Sequence, residues 1–599
     1  MRNKLKSVEI YEKDGRRIAR GTGKYKPHKI RDIKQMLENT VKKYKNNTAF
    51  KYKKNGELIQ KTFLDFKRDV DSIGTVLISM GLKGKRIAVI GENSYKWSVS
   101  HMSVLNGVGV IVPLDKSLPQ VEIENLIQRS GVEAIFYSKS YQDVMKNIAN
   151  NTNQIRYYIN FENVPNQDER FLSFDDLVKQ GNTLLQNGDK SYIDININPK
   201  DMAVLLFTSG TTKKSKGVML SHRNIASNIE SLTGVIRFNT KDVHLSLLPI
   251  HHTFENTIGF LFMFEQGVCI AYCEGIRHIA SNLKEFNVTI LLAVPAIYEV
   301  MYGKVMDGLK KSGKEDLVKS LIKIGNTLSK VGIDVRRILL SAVRKQLAPN
   351  LKLMVSAAAP IDQKIIEFFS ALGIMFLQGY GLTETSPLVA VNTPDTRKPG
   401  TVGPPGFNIE VTIDNPDENG MGEILVRGEN IMLGYYQDQQ ENEEVFTEDG
   451  WFKTGDIGII DEEGLLKITG REKSMIVFGN GKKAFPEEYE EILNKISGVK
   501  ETFVWGSKTK EGQVQICAKI VIEDTQDAND MTKVIEEAIK GINKNLPQYK
   551  IIRYFVLTKD ELVKTTTLKI KRNIENARMK EYQASQGCDM RKLHKRTLF

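Results

Sequence analysis

LLFTSGTTKKSKGVMLSHRN, residues 205–224, is the stretch from which the rest of the chain can be read. The apolar run at 203–207 has the length and composition of a buried strand. It meets a cluster of hydroxyl residues and glycine, Thr208, Ser209, Gly210, Thr211 and Thr212. Lys213, Lys214 and Lys216 follow, then Gly217 and a second apolar strand from Val218. Small residues let a backbone approach an anion closely, hydroxyls donate to its oxygens, and lysines add point charge. Such a loop suits a polyphosphate. It is not the P-loop of nucleotide triphosphatases, because no glycine–lysine–serine/threonine end opens a helix. Taken alone, a lysine-bearing surface hairpin is the other reading of the same residues.

A chain of 599 residues exceeds what one core holds, so a large domain with at least one smaller one is expected. Hydrophobic content of 41% with 26% charged residues is that of a soluble globular protein. The net charge of +13, from 85 basic and 72 acidic residues, points to anionic partners such as a nucleotide, coenzyme phosphates or a membrane surface. Nucleic acid is not an expected partner, because the basic residues are dispersed and not interleaved with aromatics. Cys269, Cys273, Cys517 and Cys588 show no metal-ligand spacing and read as thiols of a reducing, cytoplasmic setting. The amino-terminal MRNKLKSVEIYEKDGRR lacks the apolar core of a signal peptide. The longest apolar stretches are interrupted by Glu265, or by Pro295 and Glu299, and none is long enough to span a bilayer.

Outward from the opening stretch, residues 29–137 alternate between helical periodicity (33–44, 63–80, 97–105, 121–129) and strand runs (49–52, 86–90, 109–113, 134–137). That alternation predicts an α/β fold built on open, mostly parallel sheets, whose ligands bind beyond the carboxyl ends of the strands. Residues 301–350 carry eleven Lys/Arg against four Asp/Glu, an excess of seven positive charges, with Leu317, Leu321, Ile324 and Leu328 at helical spacing. A solvated helix explains the segment, and so does a membrane- or coenzyme-facing basic surface. Beyond residue 403 short strands and tight turns (410–413, 423–426, 458–460, 465–468) predict a β-rich subdomain completing a large domain of residues 1–469. Residues 470–575 return to mixed helix and strand and read as a small mobile α+β domain, with a hinge at 470–473. The remainder, 576–599, reads as a fraying basic tail.

Five further stretches share the character of the first. LPIHHTFE at 248–255 sets two histidines before an apolar, aromatic helix, and the small residues of 356–360 can lie flat on a planar ring. QGYGLTETS at 378–386 joins an aromatic, glycines, hydroxyls and Glu384. WFKTGDIG at 451–458 exposes one aspartate in a glycine turn, and KTTTLKIKR at 564–572 is basic. With GEILVRGENIMLGYY from Gly422 and GREKSMIVFGNGKKAFPEEYEEI from Gly470, these motifs run in order over residues 29–572. The chain thereby resembles the adenylate-forming superfamily, most of all its long-chain fatty acyl-CoA synthetases.

The resemblance implies a two-step reaction with ATP, Mg²⁺ and coenzyme A. A carboxylate attacks the α-phosphorus to give an acyl-adenylate and pyrophosphate, and a thiol then displaces AMP. It also implies roles for residues. Thr208, Ser209, Gly210, Thr211, Thr212 and Lys216 match the phosphate loop, and Ala358, Ala359, Tyr380 and Gly381 the adenine slot. Asp456 and Arg471 match the ribose contacts, Glu384 the Mg²⁺ carboxylate with Thr383 beside it, and His252 the histidine near the bound carboxylate. Lys473 matches the hinge, Gly479 the face that opens a path for the thiol, and Lys569 the catalytic lysine. Lys213 and Ser215 depart from the family's usual glycine and proline. A fatty acid is the implied acid, because the apolar helix after His252 suits an acyl channel and the basic insert after 294–299 is a long-chain feature. A plain core helix accounts for the same apolar residues. A peripheral anionic membrane surface and an acyl carrier protein are further partners this reading allows. Its alternatives are an acyl-AMP ligase loading a carrier-protein phosphopantetheine and an adenylation enzyme for another carboxylic or amino acid.

Overall fold

Strands that are apolar on both faces demand cover on both faces, and helices supply it. In the strand Lys85–Ile90, Ile87, Ala88, Val89 and Ile90 are all fully buried, the signature of a parallel sheet lined by crossover helices. The structure, a computed structural model, describes residues 7–163, 168–208, 215–330, 335–479, 482–509, 512–565 and 568–598. Of the residues expected to bind phosphate, Ser209, Gly210, Thr211 and Thr212 lie outside the described residues.

Two eight-stranded sheets organise the larger part of the chain. One runs in the order Gly434–Tyr435, Lys216–Ser221, Met202–Thr208, Gly109–Pro113, Lys85–Ile90, Ala134–Tyr137, Tyr157–Asn160, Phe171–Ser173. The other runs Leu388–Val391, Met375–Gly381, Leu353–Ser356, Ile290–Ala293, Val243–Ser246, Cys269–Tyr272, Thr48–Lys54, Glu57–Thr62. Most neighbouring strands in both are parallel, as the helix–strand alternation predicts. Antiparallel strands close both edges of the second sheet. In the first they form one end, from Met202–Thr208 through Lys216–Ser221 to Gly434–Tyr435, and the opposite edge strand Phe171–Ser173 is parallel. One continuous core joins residues of both sheets, centred on Phe50, Phe66, Phe260 and Phe264. Phe50 lies 4.8 Å from Phe66 and 6.0 Å from Tyr272, ring centre to ring centre. Phe260 and Phe264 come from the helical run that begins with the π-helix Phe254–Phe262, all nine residues of which are buried.

The third sheet is antiparallel and six-stranded: Val8–Lys13, Arg16–Gly21, Glu410–Asp414, Gly422–Arg427, Phe452–Ile460, Leu466–Arg471. Its first two strands come from the amino terminus, which the sequence reading left without an element. The pairing of Ala19 with Val411 spans nearly the whole large unit, and local periodicity carries no trace of such a partner.

In the basic insert, helices Pro295–Lys311, Glu315–Lys330, Arg336–Leu339 and Ser341–Leu347 replace the single stripe expected from residue spacing. The face turned to the core is Val318, Leu321 and Ile322, offset from the expected set, so that Leu317 and Ile324 remain in solvent.

The carboxy-terminal part has its own core, from Ile476 to Leu598, under the sheet Val499–Lys508, Val514–Ile522, Ile552–Thr558, Thr597–Leu598. The expectation of a fraying tail at 576–599 is corrected here. The helix Arg572–Ser585 continues into Met590–Leu593, and Thr597–Leu598 adds a parallel edge strand. Met579, Met590, Leu593 and Leu598 plug one face of the sheet. Their wide spacing in a polar matrix hides the pattern. Leu593→Ala should therefore cost about 2–5 kcal/mol, as for a buried leucine. Chemical denaturation of the full chain checks it. An unchanged midpoint would return these residues to a free tail.

Candidate active site

The carboxyl ends of the parallel strands Leu353–Ser356 and Met375–Gly381 open onto the six-stranded sheet, and the expected site residues meet there. Ala358 follows the first strand at φ +76°, a left-handed conformation that is strained for any residue with a β-carbon by about 1–3 kcal/mol. Gly381 ends the second, where a β-carbon would sit 1.9 Å from the carbonyl oxygen of Pro387, so glycine alone fits.

Asp456, on the strand Phe452–Ile460, is the most engaged group of the site and only 3% exposed. The Tyr380 hydroxyl donates to its Oδ2 at 2.6 Å, and Nε of Arg471 lies 2.8 Å from its Oδ1. Asp456 and Arg471 are register partners in adjacent strands, so the antiparallel ladder itself sets this pair. Burial, and then Asp456, hold the Tyr380 phenol well above its ordinary pKa. Asp456 in turn raises that of Arg471.

Glu384 lies in the short turn Thr383–Thr385, with Thr383 buried beside it. Its Oε1 accepts from the Tyr435 hydroxyl at 2.8 Å, and no described residue hydrogen-bonds its second oxygen. The ring of Tyr435 also lies under the ammonium of Lys216, 4.9 Å away, and Lys216 pairs with Glu441. Tyr435 and Glu441 are structural members of the site that sequence reasoning missed. Tyr435 stood inside a quoted motif, but its place depends on the strand Gly434–Tyr435 joining the edge of the first sheet beside Lys216–Ser221. Thr208 pairs with Lys216 across the same hairpin.

His252 is half-buried ahead of the π-helix. Its Nδ1 accepts from the Phe254 amide at 3.2 Å, which puts the proton of the neutral ring on Nε2. Burial, then the charges of Lys569 and His251, push its pKa down to about 3. His251 is turned away, its Nε2 3.6 Å from Asp115 Oδ1. Lys569 reaches the site from the carboxy-terminal part. The residue keeps exposed surface, yet burial around its ammonium is the largest cause of a pKa pushed down to about 8, with Arg471 adding to it and Asp456 and Glu384 opposing. Lys473, in the exposed turn Glu472–Ser474, and Gly479, with no atom within 4 Å of a β-carbon position, are not brought into this cluster. Ala359 is exposed beside Ala358.

The fold and this cluster define an adenylate-forming acid–coenzyme A ligase. The pattern of the AMP-binding enzyme family matches residues 37–436, and that of the AMP-binding enzyme C-terminal domain matches 488–569, so the chain belongs to this family. It is 29% identical to long chain acyl-CoA synthetase 4 of Arabidopsis thaliana over 76% of this chain and 72% of that protein. Fatty acyl-CoA synthetase A of Dictyostelium discoideum is 28% identical over 73% of this chain and 68% of its own length. Among solved structures, ATP-bound MatB from Rhodopseudomonas palustris shares the fold with a TM-score of 0.72 at 23% identity, covering 92% of this chain and 99% of that one. The anthranilate CoA ligase AuaEII with anthranoyl-AMP does so with a TM-score of 0.73 at 19% identity, covering 94% and 99%.

The electrostatics can be checked without turnover. The His252 ring should show no titration between about pH 5 and 8 by NMR, because burial keeps it neutral. In Lys569→Ala its pKa should rise, since a neighbouring cation is removed. A wild-type midpoint near the ordinary value of about 6.5 would put the ring in solvent.

Proposed function

We propose that this chain activates a long-chain fatty acid with ATP and transfers the acyl group to coenzyme A. The observation that carries this reading is the meeting of Lys569, from the carboxy-terminal unit, with Asp456, Glu384, Arg471 and His252 of the larger one. A fatty carboxylate and a triphosphate repel each other, so the site must supply positive charge where negative charge gathers. On this reading Lys569 bridges the carboxylate and the α-phosphate, and Lys216 holds the outer phosphates with Thr208 and with Ser209, Gly210, Thr211 and Thr212 of the same sequence motif. Ala358, Ala359, Tyr380 and Gly381 flank the adenine, while Asp456 and Arg471 take the ribose.

A carboxylate oxygen attacks the α-phosphorus, the bond to the pyrophosphate oxygen breaks, and pyrophosphate leaves with its electron pair. A thiol sulfur then attacks the carbonyl carbon, AMP departs, and the thiol proton passes to solvent. Between the steps Lys569 must withdraw, and Lys473, exposed between the two units, is the hinge this reading assigns. Gly479 would then line the thiol's path.

Among the described residues no three His, Cys, Asp or Glu side chains cluster as a metal cage. Glu384, with one oxygen that receives no hydrogen bond from the described residues, fits Mg²⁺, which takes one or two carboxylates and completes its shell with water and substrate phosphates. Bound there, the ion would neutralise phosphate charge, and Thr383 would hold the turn beside it.

Support for a long acyl chain comes from the named relatives and from the buried aromatic π-helix directly behind His252. The test is pyrophosphate release across acids of increasing chain length, with and without coenzyme A. Long-chain acids should be preferred, with acyl-CoA as product. Adenylate without acyl-CoA would assign the acceptor to a carrier protein, and a preference for small or amino acids would overturn the substrate. Lys569→Ala should lose about 3 kcal/mol or more of transition-state stabilisation in adenylation. It should spare thioester formation from supplied acyl-adenylate. In the wild type, adenylation should fall as pH rises through about 8, because the ammonium is then lost.

The basic insert supports a peripheral membrane encounter. Leu317, Ile324 and Ile338, the last 74% exposed, project from helices that carry the excess of positive charge. Among the described residues no helix is long and apolar enough to cross a membrane. Each basic residue at an anionic surface contributes roughly 1 kcal/mol, and the attraction is screened by salt. The protein should co-sediment with phosphatidylserine vesicles at low salt and less so at 1 M, where the Debye length is about 3 Å. Equal pelleting with neutral vesicles would make the insert a solvated face.

A further inference from the structure

The segment that carries Lys569 is bonded to a buried ion pair outside the Asp456–Glu384 cluster. Lys569 lies on one limb of a narrow hairpin between the strand Ile552–Thr558 and the helix Arg572–Ser585, opposite Thr565. The amide of Thr565 donates to the Lys569 carbonyl at 2.8 Å, and the Lys569 amide donates to the Thr565 hydroxyl at 3.1 Å. Lys564 and Ile570 form an antiparallel bridge, and the Lys571 amide donates to the Val563 carbonyl at 2.8 Å. Val563 is thus the base of the hairpin on one limb.

Its remaining backbone group, the amide, donates to Oε1 of Glu575 at 2.9 Å. Glu575 is fully buried, and Nζ of Lys519, 7% exposed, bonds its Oε2 at 2.9 Å. Arg578 adds a longer contact of 3.3 Å to Oε1. Lys519 belongs to Val514–Ile522, a central strand of the carboxy-terminal sheet. A single carboxylate therefore ties the hairpin base to an interior strand of the sheet. Burial opposes its charge, but the Val563 amide and Lys519 outweigh that and hold its pKa below the ordinary value.

The expected cost of this arrangement makes it informative. A buried ion pair is often no more stabilising than two apolar side chains of the same volume. Fixing a register is the better-attested use of such a pair. Catalytic groups, moreover, lose activity steeply when displaced, by about 10²-fold for 1 Å.

We propose that Glu575, braced by Lys519, is a positioning residue that sets the register of the Val563 hairpin so that Lys569 reaches the Asp456–Glu384 cluster. The inference rests on the reading of Lys569 as the adenylating lysine. It separates positioning from mere stability, because only adenylation uses the hairpin in this pose.

Two paired variants of the full-length protein test it. Lys519→Met with Glu575→Met leaves no unpaired buried charge and should fold, but strips Val563 of its acceptor. Adenylation should fall roughly ten- to hundredfold. Thioester formation from supplied acyl-adenylate should stay within about threefold of wild type, and hydrogen exchange at the Val563 amide should quicken. Lys519→Gln with Glu575→Gln keeps an acceptor oxygen for Val563 and should restore most of the adenylation rate. The proposal is overturned if the methionine pair adenylates like wild type, if both half-reactions fall together, or if the glutamine pair is as impaired as the methionine pair. Should Glu575→Gln alone unfold the protein, these charge-neutral pairs still decide the matter. Lys569→Ala run alongside keeps the two ideas apart. Undiminished adenylation there removes the role of Lys569, whereas Val563 exchange reports on the brace regardless.

Discussion

A buried carboxylate shared by a phenol and a guanidinium, Asp456 between Tyr380 and Arg471, is the interaction on which the geometry of this site turns. Asp456 is held by the six-stranded sheet, Tyr380 by the end of a parallel strand in the second eight-stranded sheet, and Arg471 by the last strand before the chain leaves the larger unit. One acid thus fastens two sheets to the segment from which the carboxy-terminal unit departs. Because Asp456 is almost wholly buried, its charge acts through little water, and its partners are fixed before any ligand arrives.

Charge balance extends outward from that pair. Lys569 lies close enough to Arg471 to be disfavoured as a cation and close enough to Asp456 and Glu384 to be partly compensated. An ammonium depressed to about 8 is still protonated at neutral pH, yet it is held in surroundings that do not satisfy it. An anionic ligand would relieve that imbalance. Glu384 is poised in a complementary way, with one oxygen held by Tyr435 and the other without a donor among the described residues. The ring of Tyr435 meanwhile shelters the ammonium of Lys216. Charge of both signs that the described residues leave only partly compensated is what the proposed polyphosphate ligand would meet.

The two units answer different physical demands. The larger must be rigid, and its parallel sheets with one aromatic core supply that. The smaller carries its own core and joins through a short exposed turn at Glu472–Ser474, as the withdrawal of Lys569 in the proposed reaction would require. Within it, Glu490 is paired to Arg572 and Lys519 to Glu575 beside the segment that carries Lys569.

Local chemistry was legible in the sequence. Strand–helix alternation implied parallel sheets, because apolar runs bounded by turn residues leave few other ways to bury themselves. The motifs around Tyr380, Glu384, Asp456 and Lys569 showed through resemblance which side chains to watch. Pairing across hundreds of residues could not be read, since a strand such as Arg16–Gly21 bears no local mark of Glu410–Asp414 as its neighbour. The same holds for the helical insert, where only packing decided that Val318 and not Leu317 turns inward, and for Leu593 and Leu598, too sparse to show a period until a sheet face receives them. Tyr435 and Glu441 entered the site for the same reason. Side-chain identity is written along the chain, but which charges face one another is settled only when separate elements bury their apolar surfaces together.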